Sequence, residues 1–73
     1  MKKSRDITKT YTVKSFISKI RRLADGLENK HQFTIQIANE KIKVPKDAIV
    51  NIEHERTKTG EEIEFQISWK SIK

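Results

Sequence analysis

From Glu61 to Lys70, Ile63, Phe65, Ile67 and Trp69 alternate with Glu62, Glu64, Gln66 and Ser68. Side chains of an extended strand point to opposite faces with period two, so this segment has one apolar face and one wet face. Such a strand belongs in an antiparallel sheet covered on one side only. Upstream, Val13, Phe16, Ile17, Ile20, Leu23, Ala24 and Leu27 recur at helical spacing. They predict an amphipathic helix able to cover that sheet.

The helix carries its own boundary signals. Thr12 can cap it by accepting a hydrogen bond from a free N–H of the first turn. Tyr11 before the cap and Phe16 four residues after it are placed for a hydrophobic staple. Gly26 and Asn29 weaken the last turn, so the helix is expected to stop near Glu28.

Four strands follow. Phe33, Ile35 and Ile37 alternate with Thr34 and Gln36, and Ile42 and Val44 alternate with Lys41 and Lys43. A two-residue loop at Asn39-Glu40 would set Ile37 opposite Ile42 and Ile35 opposite Val44. Pro45 ends the second strand because it has no N–H to donate. Val50 and Ile52 lead the third strand, with Asn51, Glu53 and Glu55 on its other face. The turn Thr57-Lys58-Thr59-Gly60 returns the chain, Gly60 being free to take a positive φ. It places Arg56 opposite Glu61, Glu55 opposite Glu62, Glu53 opposite Glu64, Ile52 opposite Phe65 and Val50 opposite Ile67. Every apolar residue then lands on one face, and Glu53, Glu55, Glu62 and Glu64 line up on the other, where like charges repel. In a meander, Lys41 and Lys43 would flank and offset that column. The expected fold class is α+β, one N-terminal amphipathic helix packed on one face of a four-stranded antiparallel meander sheet. Residues 1–10 read as a flexible basic arm and 11–73 as a single domain.

In this order the segments resemble the amphi-Trp domain family of small prokaryotic proteins. The resemblance spans about residues 12–70. It is carried by Phe16-x-x-x-Ile20-x-x-Leu23-Ala24-x-x-Leu27, then Val44-Pro45, then Ile52-Glu53-His54-Glu55, then Ile63-Glu64-Phe65-Gln66-Ile67-Ser68-Trp69. Between Glu28 and Gln32 the chain lacks the glycine expected there. The resemblance implies an α+β fold and brings no established activity, cofactor or catalytic residue.

Chemistry-bearing patterns are sparse. There is no cysteine, which excludes disulfides and thiolate metal sites. His31 and His54 are the only histidines and lack metal-ligand spacing, so no metal or cofactor is expected. The glutamate column has no loop to wrap a cation and no cleft to raise a carboxyl pKa for acid–base work. Lys58-Thr59-Gly60 resembles a β-lactamase triplet without its companion motifs, and two glycines cannot build a phosphate cradle. No enzyme is expected. The start Met1-Lys2-Lys3 is not followed by an apolar run, and no stretch approaches the ~20 residues that cross a bilayer. The expected location is cytoplasmic, with no membrane partner.

Charge is the remaining signal. Residues 1–30 hold nine of the sixteen basic side chains against three acids, so the whole net charge of +6 sits there. On a helical wheel Lys14, Ser18, Arg21, Arg22 and Asp25 share the outward arc, bordered by Lys19. A one-sided field of this kind attracts polyanions. The leading expectation is weak, sequence-independent binding of nucleic acid or another polyanion, with Lys2, Lys3, Arg5 and Lys9 on the arm and Lys14, Lys19, Arg21 and Arg22 on the helix. The rival expectation is a protein-interaction or self-assembly module using open strand edges at Phe33–Ile37 or Ile63–Trp69 and the acidic sheet face, with a homo-oligomer or a protein as partner. Trp69 continues the apolar series and is expected in the core against the helix rather than as a stacking platform for a base.

Overall fold

The computed structural model describes residues 3–71. Helix α1 spans Val13–Glu28 and is followed by β1 (Phe33–Ile37), β2 (Glu40–Val44), β3 (Ile49–Arg56) and β4 (Glu61–Ser68). This is the expected α+β arrangement of a helix and four antiparallel strands in chain order. Thr12 caps the helix with extended backbone, its Oγ1 accepting from Ser15 N–H at 3.1 Å. At the other end Asn29 N–H reaches Asp25 O and Lys30 N–H reaches Leu27 O. Lys30 takes φ 59°, the left-handed conformation a glycine would have supplied without strain.

The strands form two hairpins rather than one continuous sheet: β1 pairs with β2, β3 pairs with β4, and no ladder joins β2 to β3. The break has a covalent cause. Pro45 cannot extend the ladder, and the turn behind it, closed by Ala48 N–H on Pro45 O, redirects the chain before β3 begins. The first hairpin closes two residues away from the expected register. Its loop is Ala38-Asn39, with Ile37 facing Glu40, Ile35 facing Ile42 and Phe33 facing Val44. A type I′ turn needs positive φ at both loop residues, and Ala38 and Asn39 have φ 47° and 68°. A loop at Asn39-Glu40 would also contain Asn39, so the observed closure is fixed instead by Ala38 N–H on the Tyr11 hydroxyl and by Arg5 on the Ile37 and Ala38 carbonyls.

The second hairpin has the expected register throughout, from Val50 opposite Ile67 to Arg56 opposite Glu61. Its turn is closed by Thr57 N–H on Gly60 O, with Thr57 Oγ1 accepting from Thr59 N–H. Gly60 has no positive φ there, contrary to expectation, because the Thr57 hydroxyl organises the turn instead. Since β2 lies elsewhere, Lys41 and Lys43 do not flank the glutamates. Gln66 relieves their repulsion, its amide donating to Glu53 at 3.0 Å and Glu64 at 3.4 Å.

Among the described residues, the backbone of helix α1 comes closest to that of β1. The contact centres on Gly26, the one buried residue of the helix. A Cβ there would sit 2.5 Å from the Phe33 ring. Gly26 is therefore a packing position, not merely a weak last turn. Polar bonds complete the junction. Residues 37 and 40 flank a two-residue loop, so in β1 the Thr34 and Gln36 carbonyls point away from β2. Arg22 donates to Thr34 O from Nε and Nη2 at 3.2 and 3.0 Å, and Lys19 Nζ donates to Gln36 O. The helix thus covers the free edge of β1 with cations.

The core this creates is small. Ile35 and Val44, 8% and 2% exposed, are the buried large apolar side chains among the described residues. The apolar arc of α1 faces the apolar side of β3–β4 across two open spaces. Phe16, Ile20, Leu23, Ile35, Ile37 and Phe65, with Lys19, line an open space of about 260 Å³. A second, of about 360 Å³, lies among Leu23, Leu27, Val50, Ile52, Phe65 and Ile67. Phe65 stays 69% exposed and Trp69, just past β4, 38%. The expectation that the helix covers both therefore fails. The helix is held on β1 by Gly26, Lys19 and Arg22, which turns its greasy arc only partly toward the second hairpin.

Candidate polyanion interface

The eight basic residues singled out by the sequence do not form one patch. Lys2 lies outside the described residues. Arg5 turns onto the first hairpin, where Nη2 donates to Ile37 O at 2.7 Å, Nη1 to Ala38 O at 3.4 Å, and Nε lies 3.4 Å from the Glu40 carboxylate. Lys9 sits over the Tyr11 ring, 5.1 Å from its centre, and Lys19 approaches the same ring at 5.8 Å. The Tyr11 hydroxyl in turn accepts from Ala38 N–H at 3.3 Å, so this residue ties the arm to the hairpin loop. Lys3, Lys14 and Arg21 are exposed.

Lys19 and Arg22 belong to the helix face turned toward β1 rather than to the outward arc. They line an open groove of about 540 Å³ together with Ser15, Ser18, Gln36 and Lys41. No carboxylate lines it. Lys19 uses one of its three donors on Gln36, and Arg22 keeps Nη1 free of the Thr34 bond, so both cations retain donors for a ligand. The groove therefore presents three positive charges and three hydroxyl residues, Ser15, Ser18 and Thr34, a set suited to phosphate oxygens. Lys41, Ser15 and Ser18 had no place in the charge reading as groove residues. Lys41 reaches the groove because it pairs with Gln36, a fact of the hairpin register that a charge count does not contain.

The second hairpin carries more acidic than basic side chains. At the mouth of the β3–β4 turn, Glu61 accepts from Arg56 at 2.6 and 2.9 Å, and His54 Nε2 lies 2.9 Å from the same oxygen. The Arg56 guanidinium, followed by the His54 ring, holds the Glu61 carboxyl below the usual carboxylate range. The cluster is solvent-exposed and acts as a surface clasp on the hairpin end.

Fold and groove together define a small α+β domain with a cationic groove between helix and first hairpin and an open apolar face beside the second. The chain matches no family model, no curated protein and no solved structure. No described helix is long and apolar enough to cross a membrane.

Proposed function

We propose that the chain is a small cytoplasmic, non-enzymatic binding module of the amphi-Trp type, and that it holds nucleic acid through phosphate contacts without reading base sequence. The observation that carries this reading is the groove in which Lys19, Arg22 and Lys41 converge with Ser15 and Ser18 and no acid. Lys14 and Arg21 extend the positive field along the exposed helix side. No aromatic side chain lines the groove, so the contact positions a backbone and carries no base information. Arg5 contributes to the fold of the first hairpin instead of wrapping a ligand.

The test is binding of a labelled duplex and a single strand across a salt series. With about three phosphates neutralised, log K falls against log salt with a slope of about −2.7 on duplex DNA. The variant Arg21→Glu/Lys41→Glu leaves every helix–sheet hydrogen bond described above in place and is expected to abolish the binding. Salt-insensitive binding, or equal binding by that variant, refutes the proposal.

A further inference from the structure

We infer that the open apolar face is buried by a second copy of this chain, the helix of each copy lying on the second hairpin of the other. This inference is independent of the cationic groove. A closed monomer of 8.6 kDa exposes about 4,700 Å². The chain exposes 7,214 Å², a surplus of about 2,500 Å² over that scale. Its radius of gyration, 13.8 Å, likewise exceeds the ~11 Å of a compact chain of 73 residues.

Part of the surplus belongs to the arm, but the apolar part does not. Of the thirteen large apolar side chains left exposed among the described residues, only Ile7 precedes the helix region. Ile37 is on β1, and the other eleven are on α1 (Val13, Phe16, Ile17, Ile20, Leu27) and on the second hairpin with Trp69. Permanent dimers bury roughly 1,000–2,500 Å² per partner and resemble a domain core cut in half. The surplus and its composition fit that range, and a patch of this extent is far beyond the singly scattered apolar residues of ordinary monomer surfaces.

Charge selects the pairing. Residues 13–28 carry four basic and two acidic side chains, while residues 49–68 carry two basic and five acidic ones. Helix against helix, or hairpin against hairpin, would bring like signs together. Helix against hairpin sets segments of opposite net charge beside each other, the acids acting as a field from the far face of the hairpin rather than as ion pairs inside the apolar contact, and a twofold axis closes the assembly with two identical contacts. Edge pairing through β1 is a poorer route, because Lys19 and Arg22 already occupy its outward carbonyls.

Sedimentation velocity of the full chain, from low micromolar to several hundred micromolar, tests the inference. The expected result is a species of twice the 8.6 kDa monomer mass. Ile17→Lys and Ile52→Lys replace side chains that are solvent-exposed in the protomer, so the protomer fold survives, which circular dichroism checks. Each substitution alone is expected to weaken association by more than about tenfold, since it places a charge inside an apolar contact. An equimolar mixture of the two variants is expected to recover part of the association, because one chain keeps an intact helix face and the other an intact hairpin. A wild-type monomer at every concentration overturns the inference. So does a dimer weakened by only one of the two substitutions, or a mixture with no recovery.

Discussion

Replacing Gly26 with alanine tests whether one close contact sets the position of the helix. In an exposed helix the change would stabilise by about 1 kcal/mol, since glycine is the costlier residue in a helix interior. Here the new methyl would lie 2.5 Å from Cγ and Cδ2 of Phe33 and 2.7 Å from Cδ1. Those atoms are the inner half of the ring, so rotation about χ2 leaves Cγ where it is and only a χ1 change that unseats the whole ring clears the clash. Either the ring leaves its place or the helix lifts from β1. Overpacking costs about 1–3 kcal/mol, and partial re-exposure of Phe33 adds to it. The net expectation is a loss of about 2 kcal/mol, which for a chain of this size lowers Tm by about 8–16 °C. Thermal unfolding followed by circular dichroism at fixed protein concentration reads the shift. A double-mutant cycle supplies the sharper measure: in a Phe33→Ala background the clash is gone, and Gly26→Ala should then stabilise by about 1 kcal/mol. If Gly26→Ala raises Tm in the otherwise unchanged chain, the helix does not rest on Phe33.

Other expectations follow from the same geometry. Ala38 sits at φ 47° in the first hairpin, so Ala38→Gly should stabilise by about 0.5–1 kcal/mol, seen as a higher urea midpoint with unchanged slope; a lower midpoint would contradict the type I′ turn. The Glu61 carboxyl is held low in the folded state by Arg56 and His54, so its contribution is present above the unfolded value near ~4.3 and is lost as pH falls through the folded value. A carboxyl NMR titration should therefore place the Glu61 midpoint below ~4.3, and Arg56→Gln should raise it; a midpoint insensitive to that substitution would show that the clasp does not form in solution.

Much of the local structure was legible in the residues alone. The helix from Val13 to Glu28, its Thr12 cap, the stop of β2 at Pro45 and the full β3–β4 register all rest on interactions between near neighbours in the chain. Apolar spacing decides which face a side chain occupies, and a short turn decides who stands opposite whom. The first hairpin shows the limit of that reasoning. A slip of two residues keeps Ile35, Ile37, Ile42 and Val44 on one face, so the alternation is blind to it; the choice fell to Arg5 and Tyr11 gripping the loop from a distant part of the chain.

The candidate groove was less legible still. Lys19 and Arg22 were visible as charges, but a helical wheel cannot say which arc meets a strand edge, and Lys41 joins them only through cross-strand pairing with Gln36. By itself, then, the order of residues determined the elements, their caps and the side of each strand that is greasy, because these depend on geometry repeating every two or 3.6 residues. Tertiary structure alone decided that the strands part into two hairpins, that Gly26 seats Phe33, and that the apolar arc of the helix stays open, because which surface covers another depends on contacts between distant segments that periodicity does not encode.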